Sequence, residues 1–142
     1  MREINAQLIT DKVAELCIDA NCSLPCDVRK RIEDARANEP WATAQGILDK
    51  IIENYNIADE NRAPICQDTG VACVFLKIGQ DVHIEGMNLE DAVNEGIRQG
   101  YVEGYLRKSV VNDPFIRENT KDNTPAIMHI DIVPGENLEI LV

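Results

Sequence analysis

Apolar residues at Ile4, Leu8, Ile9, Val13, Leu16, Cys17 and Ala20 recur at the three- and four-residue spacing of one helix face, and the run stops at the polar, proline-bearing residues 21–25. This pattern predicts a first helix over residues 4–20. Pro25 stands where the first turn of a second helix tolerates a missing N–H; Val28, Ile32 and Ala35 give that helix a buried stripe, and Asn38 and Pro40 end it. In a third helix Ala44, Ile47, Leu48, Ile51, Ile52 and Tyr55 line one face, with Asp49, Lys50 and Glu53 on the other.

The period changes after Ile57. A polar stretch, residues 59–62, leads into Ala63-Pro64-Ile65-Cys66-Gln67-Asp68-Thr69-Gly70 and then into an apolar run, residues 71–78, that reads as a buried strand. Gly79-Gln80-Asp81 can turn the chain into a second strand over residues 82–85, whose alternation gives it one wet face. Asn88 is a good N-cap for the next helix, and Glu90 and Asp91 suit its first turn. That helix carries Gly96, Gly100 and Gly104 at four-residue spacing, each costing about 1 kcal/mol relative to alanine. The spacing predicts a smooth stripe that lets a neighbouring backbone approach, and Glu95, Arg98 and Glu103 beside it exclude a membrane helix pair.

Residues 112–125 form a long loop with Asn112-Asp113-Pro114 and Asp122-Asn123-Thr124-Pro125 as turn formers; strands follow at residues 127–133 and 138–142. The predicted fold is mixed α/β. A helical part, residues 1–58, is expected to pack as a layer on a small sheet in residues 59–142, built from the strands near residues 71, 82, 127 and 138. The last strand carries no cap or closing helix, so the sequence is expected to be the amino-terminal part of one longer catalytic domain.

Hydrophobic residues make up 44% of the 142 positions and charged residues 27%, the balance of a packed globular protein. The formal net charge of −11 and the absence of any Lys/Arg cluster exclude nucleic acid as a partner. No stretch approaches the roughly 20 apolar residues that cross a bilayer, which excludes membrane insertion. Five cysteines, an odd number, and a polar N-terminus point to a reducing cytoplasm.

The segment around Cys66 is the richest in chemistry. A thiol flanked by Pro64 and Gly70 and followed by an amide, a carboxylate and a hydroxyl sits in a loop entering a buried strand, where side chains can face a ligand while the scaffold holds the backbone. Composition alone leaves a plain turn with a half-buried thiol equally open, and Asp68 can serve as the Asx-turn acceptor of its own loop. Cys17, Cys22 and Cys26 are spaced like a metal clip, but Cys17 falls on an apolar helix face, so core thiols are the better reading. Cys73 reads as inert packing within its strand. His129 and Asp131 share a strand face and read as a hydrogen-bonded structural pair; His83 has no evident partner.

Pro64-Ile65-Cys66-Gln67-Asp68-Thr69-Gly70 resembles the signature loop of the class I fumarases and of the alpha subunit of L-tartrate dehydratase, iron–sulfur hydro-lyases. The stretches Leu48-Asp49-Lys50-Ile51-Ile52-Glu53-Asn54 and Asp122-Asn123-Thr124-Pro125-Ala126 resemble the same family in order and spacing. The resemblance implies a [4Fe–4S] cluster held by three cysteines, with Cys66 at the position of the first and the other two beyond residue 142. It implies further that Gln67 and Asp68 face the substrate, Asp68 assisting proton transfer, and that Arg107 grips a substrate carboxylate. Without the family, Arg107 reads as a residue compensating a helix C-terminus, and the Thr69 hydroxyl as a tie between loop and strand.

The expected reaction is reversible hydration of fumarate to malate, a small dicarboxylate chemistry, with L-tartrate dehydration as the near alternative. Two rival readings accompany it: a non-catalytic assembly subunit without a cluster, and a zinc module built on Cys17, Cys22 and Cys26. A homo-oligomer, or a partner subunit that supplies the rest of the site, is expected.

Overall fold

The computed structural model describes residues 1–142. In chain order it contains strand β1 (Arg2–Asn5), helices α1 (Ala6–Cys22), α2 (Cys26–Asn38) and α3 (Ala42–Asn61), strands β2 (Cys73–Gly79) and β3 (Val82–Glu85), helix α4 (Leu89–Glu103), and strands β4 (Ile127–Val133) and β5 (Leu138–Leu141). The architecture is mixed α/β, and the third and fourth helices and last two strands lie close to where the periodicity puts them. No helix is long and apolar enough to cross a membrane.

The start of the chain differs from its pattern. The Asn5 side chain accepts from the Gln7 N–H at 2.8 Å and caps a helix that begins at Ala6, which leaves Ile4 outside it. Residues 2–5 are instead a strand, paired in parallel with β3 from Arg2 opposite Val82 to Asn5 opposite Glu85. Four residues with one buried position are too few to display a period of two.

The single sheet expected from four strands is therefore two sheets. β2 lies between β4, parallel to it, and β5, antiparallel to it, while β3 leaves to join β1. The exit is set at Gly79. Its N–H donates to Asn137 O at 2.7 Å, and those of Gln80 and Asp81 donate to Val133 O and Gly135 O at 2.8 and 2.9 Å. The turn between β4 and β5 thus captures the three groups that a β2–β3 hairpin would have used.

α1 and α4 form the layer that covers the sheets. The core joins Ile9, Val13 and Cys17 of α1, Val93, Ile97 and Tyr101 of α4, and Val74, Leu76 and Ile78 of β2. Their contact is close because of the glycine stripe. A Cβ on Gly96 would stand 2.6 Å from Thr10 O, and one on Gly100 would stand 2.8 Å from Ala14 O. The Thr10 hydroxyl, fully buried, donates to Ala92 O at 2.9 Å across the same seam. Gly104 caps the helix instead of continuing it.

The amino-terminal helices pack on small sheets as expected, and within them α2 and α3 stand apart from the α1–α4 pair. They pair with each other through polar contacts: Arg36 with Asp49 at 2.7 and 3.1 Å, and the Tyr55 hydroxyl donating to Glu33 at 3.1 Å. No residue of α2 is buried, so its Val28, Ile32 and Ala35 stripe is not a core face. On α3 Tyr55 and Ala58 are buried, whereas Ile47 and Ile51 remain 57% and 43% exposed. Apolar spacing specifies a face; it does not specify what covers that face.

Candidate active site

The loop between α3 and β2 is fastened at both ends and free in the middle. At its entrance Arg62 adopts the left-handed conformation, φ 48°, that ends α3. Both backbone groups of Ile65 are then engaged: its N–H donates to Asn21 O at 2.9 Å, and its carbonyl accepts from Asn54 Nδ2 at 2.9 Å. Asn21 is itself tied down, since its Nδ2 donates to Cys17 O at 2.9 Å. At the exit Gly70 has φ +64°, a conformation that costs a side-chain-bearing residue.

Three side chains hold that exit. The Tyr101 hydroxyl donates to Thr69 O at 3.0 Å and is 3.3 Å from Gly70 O. Burial, above all, pushes the Tyr101 phenol up to about 12, so its O–H stays a donor through the ordinary pH range. Asn123, completely buried, donates from Nδ2 to Gly70 O at 3.1 Å, and its Oδ1 accepts from the N–H groups of Ser109 and Val110 at 2.7 and 3.1 Å. The third tie runs outward: the Thr69 hydroxyl donates to Arg107 O at 3.0 Å.

Between the pinned ends Cys66, Gln67 and Asp68 are exposed. The Cys66 thiol contacts only the carbonyl of Asp68, at 3.7 Å. No hydrogen bond ends on the Asp68 carboxylate, so the Asx-turn role open to it is not the one it plays. Thr69 ties its loop to the Arg107 main chain and not to a strand. Arg107 lies beyond the end of α4, its guanidinium exposed and outside every ion pair of the chain. The structure thus brings the Cys66–Asp68 loop and the Arg107 backbone together while leaving the polar side chains free of one another.

An open, mainly apolar cavity of about 390 Å³ adjoins the loop exit, lined among others by Thr69, Val71, Cys73, Phe75, Tyr101 and Leu141. None of Cys66, Gln67, Asp68 and Arg107 lines it. Cys73 is exposed at the start of β2, against the expectation of buried packing, because its side chain belongs to the uncovered face of the sheet. On that face His129 stacks on Phe75 with ring centres 4.8 Å apart and makes no hydrogen bond with Asp131; the stacked ring replaces the expected pair.

The thiols divide by environment. Cys17 and Cys22 are buried, as core thiols should be, and burial pushes Cys17 up to about 12 and raises Cys22 as well. Neither is suited to act as a thiolate. Cys26 is exposed, so the core reading fails for it. No three His, Cys, Asp or Glu side chains converge in metal-binding geometry. Three thiols are exposed, Cys26, Cys66 and Cys73, and of these Cys66 lies in the anchored loop between α3 and β2.

Sequence reasoning missed Tyr101, Asn54, Asn21 and the burial of Asn123. Tyr101 had a signal: it stands four residues after Ile97 on the core stripe, and a buried tyrosine needs a partner for its hydroxyl. Asn123 carried none, since an asparagine in a turn-forming stretch normally faces water.

Residues 10–142 match the family described as fumarate hydratase (Fumerase). The chain is 42% identical over 116 residues to a Methanocaldococcus jannaschii protein provisionally named L(+)-tartrate dehydratase subunit alpha, a match covering 81% of this chain and 40% of that protein. It is 31% identical over 110 residues to the anaerobic class I fumarate hydratase of Escherichia coli K12, covering 76% of this chain and 19% of the enzyme. With the L(+)-tartrate dehydratase subunit alpha of Escherichia coli UTI89 it shares 27% identity over 150 aligned positions, all of this chain and 49% of the subunit. The chain therefore spans between about a fifth and about half of the length of these relatives.

Proposed function

The chain belongs to the fumarate hydratase (Fumerase) family, and from that membership we propose that it forms part of a [4Fe–4S]-dependent hydro-lyase acting on a small dicarboxylate, reversibly hydrating fumarate to malate. The observation that carries the reading is the loop itself. Its backbone is pinned at Ile65 and again at Thr69 and Gly70, while the thiol, amide and carboxylate between those points bind nothing strongly. A fixed backbone beneath free polar side chains suits contact with a ligand.

Cys66 would hold one corner of the cluster, the remaining thiolates coming from outside these residues. When bound, a cluster with an open iron supplies a Lewis acid for the hydroxyl of a 2-hydroxy acid. The other tasks fall to this chain's own residues. The Gln67 amide can donate to a substrate oxygen while its carbonyl accepts a hydroxyl. Asp68, an acceptor with no hydrogen-bond partner of its own, can orient the substrate hydroxyl or assist proton transfer. The Arg107 guanidinium offers a planar fork that grips a carboxylate with two parallel bonds. Residues 1–142 are read as one portion of a single catalytic domain, with the helical segment 1–58 supporting the loop from behind.

A second substrate reading, L-tartrate dehydration, is favoured by the 42% identity to the Methanocaldococcus jannaschii protein and by the larger share of the tartrate dehydratase alpha subunits that is matched, 40% and 49% against 19% of the fumarate hydratase. Those names also support a partner subunit. Exposed apolar side chains on the outer sheet face, Phe75, Ile127 and Leu141, would suit such a contact.

The test is an anaerobic assay of the holoenzyme with fumarate, malate and L-tartrate, on wild type and on Arg107→Lys. The substitution keeps the charge and loses the fork. A fall in kcat/KM of about tenfold or more is expected for the favoured dicarboxylate; wild-type kinetics would remove Arg107 from the site, and no turnover of any of the three acids would overturn the assignment.

A further inference from the structure

Asn123 joins two segments that the proposed chemistry needs in register. On one side is Gly70, which ends the loop bearing Gln67 and Asp68; on the other are Ser109 and Val110, two and three residues after Arg107. All three bonds go to backbone groups outside regular helix or strand, in places where no ladder fixes the spacing. The orientation of the amide follows from its partners. Two N–H groups face Oδ1 and one carbonyl faces Nδ2, so an inverted amide would set donors against donors.

Tyr101 works on the same carbonyl. Its ring is anchored in the core and its hydroxyl reaches both Thr69 O and Gly70 O. The Thr69 hydroxyl then passes the constraint to Arg107 O. The route from α4 to the arginine's own backbone is continuous: Tyr101, Thr69, Arg107, with Asn123 bracing it from the far side.

We infer that Asn123 and Tyr101 are positioning residues, which fix the Arg107 backbone relative to the loop that bears Gln67 and Asp68 without touching substrate themselves. This rests on the substrate-binding reading of Arg107. The physical stake is alignment, since a displacement of about 1 Å between a carboxylate clamp and reacting groups costs on the order of 10²-fold in rate. Asn123→Asp is the informative variant. It preserves shape, and aspartate tolerates the left-handed backbone (φ 64°) that position 123 adopts, so strain does not confound the result. The new carboxylate still accepts from Ser109 and Val110 but can no longer donate to Gly70. Tyr101→Phe removes only the hydroxyl and serves should the first variant not fold.

The experiment is a double-mutant cycle on the holoenzyme, with any subunit that copurifies, reading kcat, KM and bound iron. In the Arg107 background each variant is expected to lose about tenfold or more in kcat/KM, with iron content unchanged because Cys66 is pinned separately through Ile65. In the Arg107→Lys background the same substitutions should lose about twofold or less, since a clamp already broken gains nothing from alignment. A purely structural role would lower activity equally in both backgrounds, and that result overturns the inference, as would wild-type kinetics. If Arg107→Lys alone is indistinguishable from wild type, the substrate-binding reading falls first and takes this inference with it.

Discussion

Asp122 shows how a single carboxylate holds the segment that presents Asn123. Its oxygens accept from the Thr124 N–H at 3.0 Å, the Thr124 hydroxyl at 2.8 Å and Arg98 Nε at 3.2 Å. Burial pushes its pKa up, but those hydrogen bonds and the Arg98 charge outweigh it and hold the group below its usual 3.8. A folded value below the unfolded one means stability that is complete above pH 3.8 and is lost as pH falls through the lowered value. Urea unfolding of wild type and Asp122→Asn, from neutral pH to about pH 2, should show a shallower acid limb for the variant. Parallel limbs would mean that Asp122 is not linked to folding; Asp49 and Asp59, also lowered, remain in both proteins. At this scale Cys66, Gln67, Asp68 and Arg107 were singled out by the resemblance of their segments to a known family; residue type and spacing alone left a plain turn and a helix-end arginine open. The residues that brace them were not, since a hydrogen bond to a distant carbonyl leaves no periodic trace.

Helix α4 was legible in both extent and purpose. Asn88 caps it, accepting from the Asp91 N–H at 2.8 Å, and the glycine stripe faces α1 as its spacing predicts. Alanine at Gly96 or Gly100 would drive a methyl into the α1 backbone, and overpacking of this kind costs about 1–3 kcal/mol. Gly46, on α3, has nothing within 4 Å of an added Cβ, so alanine there should stabilise by about 0.5–1 kcal/mol through helix propensity. Denaturant midpoints for the three variants check both signs. A neutral Gly100→Ala would mean that α1 and α4 are farther apart than described. β1 and the split sheet were beyond the sequence because pairing partners are chosen by three-dimensional register: Ile4 reads equally well as the start of a helix until Asn5 caps the one that follows. The α2 and α3 stripes misled for a related reason, as Arg36–Asp49 and Tyr55–Glu33 join those helices by polar groups and leave their apolar residues outside the core.

The whole molecule pairs a well-packed centre with uncovered apolar faces, Phe75, Ile127 and Leu141 on the sheet and Ile47 and Ile51 on α3. Such patches on an acidic chain of net charge −11 favour contact with another protein surface over contact with nucleic acid. The loop is the one place where rigidity of the scaffold and freedom of reactive side chains coincide, so the account stands on Cys66. Its most direct test is anaerobic reconstitution of the complete protein with iron and sulfide, counting both in wild type and in Cys66→Ser. The account predicts a full cluster in wild type and most of that iron lost from the variant, with the secondary structure by circular dichroism unchanged and with Cys17→Ala and Cys22→Ala retaining their iron. A normal cluster in Cys66→Ser would contradict it.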